Sequence, residues 1–167
     1  GKSLGNFITL DEFFTGSHPL LEQPYAPMTI RFFILMAHYR STVDFSNDAL
    51  RDAEKAYDRM LAGWRRLASL KPSAESTVAD EIAAVETACY EAMDDDLNTP
   101  ITISHLFEAV GIINRINDGH ATATAADIDR LRAIFQTFLF DIMGMRPDME
   151  GAASGEAMKP YHDAVEL

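Results

Sequence analysis

Lys2-Ser3 stands in a short Gly/Ser loop at the start of the chain. A lysine in such a loop can neutralise phosphate charge as it develops in phosphoryl or nucleotidyl transfer. The plainer alternative is an exposed lysine near a terminus. His38-Tyr39-Arg40-Ser41 follows an apolar stretch. Four polar-tipped residues there can grip a phosphate backbone, with Arg40 the best donor. The alternative is a helix C-terminus, where cations and hydrogen-bonding side chains serve the last carbonyls. Asp94-Asp95-Asp96 invites a metal reading, because hard cations take oxygen ligands. The run lacks the glycine and distal glutamate of a calcium loop, so a turn near a helix start is preferred. His18, His38, His105, His120 and His162 form no i, i+4 pair and none is near the single cysteine, so no zinc site is expected. Cys89 falls on an apolar stripe and reads as core. Trp64 beside Gly63 reads as packing, the glycine letting another helix approach. No Ser/His/Asp or Cys/His arrangement stands out, and nothing here is a self-sufficient active site.

Helices must position these residues. Thr9-Leu10-Asp11-Glu12 is a capping-box pattern ahead of Phe13 and Phe14. Gly16, Pro19, Pro24 and Pro27 then break the chain into a loop. A helix is predicted over residues 28–39, with Pro27 suited to its first position. Met28, Ile30, Phe32, Phe33, Ile34, Leu35 and Met36 run almost all the way round it, which predicts burial on most sides. Ser46 or Asn47 caps the next helix, which reaches about residue 70. Its Leu50, Ala53, Tyr57, Met60, Leu61, Trp64, Leu67 and Ala68 fall at helical spacing. A helix over about 76–93 carries Val78, Ile82, Val85 and Cys89 as its stripe. Thr99 reads as the N-cap of the following helix, ahead of Pro100. That helix runs to about 117, with Ile103, Leu106, Phe107, Val110, Ile113 and Asn114 on one face. The last, over about 125–143, uses Ile128, Leu131, Ile134, Phe135, Phe138 and Ile142. No stretch alternates with period two. The fold class is all-α: a short N-terminal helical segment over 1–43 and an antiparallel four-helix bundle over 44–145. Residues 146–167 read as a Gly/Ala/Ser-rich linker and the cut start of a next segment. The opening reads like the middle of a loop, so a domain from a longer protein is expected.

The 167 residues include 26 acidic and 14 basic side chains, a net charge of −12. As an average, this argues against a nucleic-acid partner, since phosphate contacts need Lys and Arg. The distribution reverses that inference. Residues 1–74 carry a net +1 and residues 75–167 a net −13. Arg51, Lys55, Arg59, Arg65, Arg66 and Lys71 bunch on or beside the first long helix. An RNA-facing surface is expected there and on the N-terminal segment, while the later helices present a surface RNA avoids. One cysteine excludes an internal disulfide framework. The longest apolar run, residues 28–37, is too short to span a membrane and contains Arg31. No signal-peptide pattern is present, and no membrane partner is expected.

Four stretches, in order, resemble one family. Lys2-Ser3-Leu4-Gly5-Asn6-Phe7 is similar to the end of the KMSKS signature of class I aminoacyl-tRNA synthetases. Ile30-Arg31-Phe32-Phe33 through His38-Tyr39-Arg40-Ser41 resembles the segment that follows this loop in the cysteinyl-tRNA synthetases. Asp48-Ala49-Leu50-Arg51 matches the letters that name the DALR helical domain. Met93-Asp94-Asp95-Asp96-Leu97-Asn98-Thr99-Pro100 is similar to the Met-Asp-Asp-Asp-Phe-Asn-Thr-Pro stretch of its cysteinyl variety. The resemblance fades after about Met145. The last turn and the His-Tyr-Arg-Ser element argue against the arginyl and methionyl enzymes.

The resemblance implies a parent that activates cysteine with ATP and transfers it to tRNA-Cys through cysteinyl-adenylate. Lys2 and Ser3 would be the ATP-binding tail of KMSKS. His38, Tyr39 and Arg40, with Arg51, Lys55 and Arg59, are the candidate tRNA contacts. The parent is expected to use zinc, ATP and magnesium. The HIGH signature and zinc site belong to its catalytic domain and are not in this chain. The chain by itself is therefore expected to be inactive, without cofactor or metal, monomeric and cytoplasmic, with tRNA-Cys and the catalytic domain of the same protein as partners. The competing reading is a structural or interaction bundle that only positions neighbouring domains.

Overall fold

The computed structural model describes residues 24–37 and 46–147. The expected capping box at Thr9 to Glu12, and Lys2, Ser3, His38, Tyr39 and Arg40, lie outside them. So does most of the Gly/Ala/Ser-rich linker. Among the described residues the chain is helix, turn and loop, with no strand.

Helix α1 spans Pro27–Met36, with proline in its first turn as its fixed φ favours. It buries Thr29, Ile30, Phe32 and Phe33, while Ile34 and Met36 stay exposed. The expectation of burial on most sides is therefore corrected to burial on one face. The helix also ends at Met36, before the predicted 39, because Ala37 is already extended. Helix α2 spans Asn47–Arg66. Ser46 is its cap, accepting from the Ala49 N–H at 3.1 Å. Leu50, Ala53, Tyr57, Met60 and Leu61 form its buried stripe, and a 3₁₀ turn at Leu67–Ser69 closes it.

Helix α3 spans Ala79–Asp94 and starts three residues later than predicted. Residues 73–77 are held instead by the loop before the last helix. Ser73 N–H donates to the Ala123 carbonyl at 2.7 Å and Thr77 N–H to that of Thr122 at 2.9 Å. Helix α4 spans Thr99–Asn117. Its cap is Asn98, not Thr99 as the sequence suggests: Asn98 Oδ1 accepts from the Ile101 N–H at 3.2 Å. The Thr99 hydroxyl is used elsewhere, donating to the Leu35 carbonyl at the end of α1 at 2.7 Å.

Helix α5 spans Ala125–Ile134 and continues without a break as wider π-type turns over Phe135–Ile142. The extra residue per hydrogen-bonded loop shifts the buried face. Phe135, Phe138 and Leu139 remain inside, whereas Ile142, predicted on the stripe, is exposed. Met143 and Met145 are buried in its place. Arg31 of α1 secures this end, its Nε donating to the Met143 carbonyl at 2.9 Å.

Helices α3 and α4 are antiparallel neighbours, with Glu81 at Arg115 and Met93 at Thr102, and α2 packs on α4 in parallel, with Arg59 at Phe107 and Arg66 at Asn114. Gly63 of α2 faces Val110 of α4 so closely that an added Cβ would meet Val110 Cγ1 at 2.5 Å. The glycine thus has the role expected of it. The core runs continuously through α2 to α5 and takes in Phe32 of α1.

Asp127 and Thr124 form a reciprocal capping box at the start of α5. Burial pushes the Asp127 carboxyl up, but hydrogen bonds from Ser76 and Thr124, with Arg130 nearby, outweigh it, leaving the net shift downward. A carboxyl depressed in the folded state stabilises above its unfolded pKa and loses that contribution as pH falls through the folded one. We predict that Asp127→Ala costs about 1 kcal/mol at pH 7. The difference from wild type should shrink below about pH 4, the ordinary aspartate value. Urea midpoints at pH 7 and pH 3 check this, and a difference independent of pH would exclude the ionised cap.

Candidate nucleic-acid interface

Helix α2 presents cations because its apolar stripe claims the opposite face. Arg51, Lys55 and Arg59 stand four residues apart, one turn to the next along a single ridge. Lys55 and Arg59 are exposed, and Arg51 is half-buried. Arg65 and Arg66 in the last turn favour the negative end of the helix dipole. Lys71 is exposed just beyond it.

These cations are not equivalent. Arg51 donates to Asp48 Oδ1 at 2.6 Å, so a neighbouring acid offsets its charge. The Arg59 guanidinium lies over the Phe107 ring, 4.8 Å from its centroid. Arg66 donates from Nη1 to Asn114 Oδ1 at 2.5 Å. Arg132 bonds Asp129 Oδ1 at 3.0 Å and reaches the Leu67 carbonyl at 3.4 Å. Sequence reasoning singled out Arg59 for its ridge, but missed Phe107 and Asn114 as the groups that hold Arg59 and Arg66. It placed both on the buried face of α4. The structure has them half-buried at its edge, facing α2.

On α3 and α4 an acid and a base are engaged with each other. Glu81 of α3 accepts two bonds from Arg115 of α4, at 2.8 and 2.9 Å. That contact holds the Glu81 carboxyl below the usual range. A shallow groove between α3 and α4 is lined by Glu81, Glu108, Val85, Ile112 and Arg115. Its one cation is already committed to Glu81, so it offers nothing to a phosphate.

Asp94 ends α3, and Asp95 and Asp96 lie in the α3–α4 turn. Asp95 N–H donates to the Glu91 carbonyl at 3.0 Å, and Asn98 N–H reaches back to Ala92 at 3.0 Å. Asp96 and Leu97 both take a left-handed φ of 57°. Among the described residues no group of three or more His, Cys, Asp or Glu side chains is placed to hold a metal ion. Cys89 is fully buried. Burial pushes its thiol up to about 12, with Glu108 and Glu86 adding to the effect. It is a neutral core side chain rather than a nucleophile. No helix is long and apolar enough to cross a membrane among the described residues.

Residues 88–146 match the DALR domain family. The matched stretch begins within α3, so it does not include the Asp48-Ala49-Leu50-Arg51 tetrapeptide. The chain is 54% identical over 167 residues to a cysteine–tRNA ligase of Parabacteroides distasonis, covering all of this chain and 33% of that protein. The corresponding protein of Bacteroides fragilis is 54% identical over 157 residues, which cover 94% of this chain and 32% of the relative. That of Chlorobaculum tepidum is 32% identical over 167 residues, covering 99% and 32%. The chain therefore spans about a third of the length of the curated relatives it matches.

Proposed function

From a chain that carries a DALR domain and is homologous along its whole length to part of the cysteine–tRNA ligases, we infer that it supplies the tRNA-binding helices of such a ligase. The parent would join cysteine to tRNA-Cys with ATP, through cysteinyl-adenylate. The observation that carries this reading is the exposed cationic ridge of α2, with Lys55 and Arg59 outward on a protein whose residues 75–167 carry a net −13. A polyanion is steered to the ridge and turned away elsewhere. Arg40, His38 and Tyr39 extend the contact by their resemblance to the family segment, and Lys2 and Ser3 belong by the same resemblance to the ATP site. Zinc and magnesium-bound ATP are assigned to the remainder of the parent. A cytoplasmic, monomeric protein is the setting this reading implies.

Binding of labelled tRNA-Cys transcript by the chain, followed by anisotropy, tests it. We predict weak, salt-sensitive binding that Arg40→Ala reduces. Binding that is unmeasurable at low salt and equal for unrelated RNA would favour a bundle that only positions its neighbours. The chain should also give no cysteine-dependent ATP–pyrophosphate exchange. Exchange abolished by Lys2→Ala would place an active site here after all.

A further inference from the structure

Arg51, Arg115 and Arg132 each pair with a carboxylate, on Asp48, Glu81 and Asp129. Arg59 and Arg66 are held differently. One lies over the ring of Phe107 and the other bonds the amide of Asn114. Both holders are neutral. A ring face and an amide oxygen fix where a guanidinium sits without cancelling its charge. Among the described residues neither arginine has an ion-pair partner, and Arg66 hydrogen-bonds only through Nη1. Its remaining N–H groups stay open to an anion.

The two pairs are in step. Arg59 and Arg66 are seven residues apart on α2, and Phe107 and Asn114 seven apart on α4. The match requires parallel helices at close approach, which Gly63 against Val110 provides midway between the pairs. Two turns of helix set the guanidiniums about 10 Å apart along the axis. The result is two rigidly placed, uncancelled planar cations on one exposed seam, with Lys55 a turn before them.

We propose that Arg59 and Arg66 form a two-point clamp for phosphates of an RNA backbone, and that Phe107 and Asn114 are the positioning residues that hold it ready. This rests on the tRNA-binding reading and names its contact. A guanidinium fork matches a phosphate oxygen pair. Regularly repeated phosphates can meet two cations at a fixed spacing, and α3, with five acidic residues and no basic one, discourages a path across it. Holding the arginines before binding removes the cost of ordering two long side chains at the moment of contact.

Anisotropy titrations of the full chain with labelled tRNA-Cys transcript, repeated across a salt series, test the clamp. Arg59→Gln and Arg66→Gln should each lower the slope of log affinity against log salt by about one. Phe107→Leu and Asn114→Ala keep both cations, so the slope should stay. Affinity at low salt should fall about two- to tenfold, the cost of ordering one long side chain. Arg115→Gln, remote from the seam and paired with Glu81, should leave the slope unchanged. Circular dichroism monitors helix content for every variant. Where Arg59→Gln lowers it, Arg59→Lys reads the same contact, keeping the slope but weakening binding by loss of the planar stack. A wild-type slope untouched by the double substitution Arg59→Gln/Arg66→Gln overturns the clamp and leaves the broader reading standing. Absence of salt-dependent binding by the wild type overturns both. Equal competition by polyglutamate overturns the assignment to RNA.

Discussion

Phe32→Ala should lower the stability of the fold by about 3–5 kcal/mol, the range for truncating a large buried aromatic, and should leave one unfolding transition. Phe32 is 0% exposed although it lies on the short helix that precedes the bundle. Its ring centroid is 5.2 Å from that of Tyr57 on α2, at a tilt of 36°. The same core continues through Met60, Leu106 and Phe135. Two polar links hold α1 at both flanks: the Thr99 hydroxyl to the Leu35 carbonyl and Arg31 to the Met143 carbonyl. A helix that shares a core with the bundle must melt with it. Urea titration read by far-ultraviolet circular dichroism and by Trp64 fluorescence should give coincident curves. A separate early transition, or a loss below about 1 kcal/mol, the usual range for a substitution outside the core, would make α1 an accessory to the bundle.

Helix positions were legible in the sequence where the signals are local. The stripe of α2, a cap at Ser46 or Asn47 and proline at the start of α1 all follow from residues within a few turns of each other, and the lone glycine at position 63 marks where a helix can come close. What was not legible depends on distant partners. The late start of α3 comes from Thr77 meeting Thr122, 45 residues on. Thr99 has the chemistry of a cap, yet Asn98 takes that role while the threonine hydroxyl serves α1. The exposure of Ile142 follows from π winding, which periodicity at 3.6 residues does not anticipate. The interface divides in the same way. A spacing of four reveals the ridge of Arg51, Lys55 and Arg59. That Asp48 offsets Arg51 is nearly local too, three residues away. That Phe107 and Asn114 hold Arg59 and Arg66 is a property of two helices packed in parallel, 48 residues apart in sequence.

Gly63→Ala tests that packing, and should destabilise even though alanine is the better helix former. The propensity gain is about 1 kcal/mol. Against it, the new Cβ would lie 2.5 and 2.8 Å from the two Val110 methyls and 3.1 Å from Val110 Cβ. A β-branched side chain has essentially one rotamer in a helix, so Val110 cannot swing aside. The helices must separate instead, and overpacking of this kind costs about 1–3 kcal/mol. The steric term wins in most of that range, for a net loss of about 1 kcal/mol. Gly63→Val adds two further carbons and should lose about 3 kcal/mol. Gly111 on α4 supplies an internal comparison, since a Cβ there meets nothing within 4 Å. Gly111→Ala should therefore stabilise by up to about 1 kcal/mol, the propensity gain alone. Combining Gly63→Ala with Val110→Ala should cost less than the two separately, because the second change makes room for the first. Denaturant midpoints for the five variants decide the matter. If Gly63→Ala stabilises as Gly111→Ala does, α2 and α4 are not in close contact. The same separation would pull Arg59 off Phe107 and Arg66 off Asn114. Gly63→Ala should therefore weaken tRNA binding while the cation count stays constant, as Phe107→Leu does, through the spacing between the two helices rather than through charge.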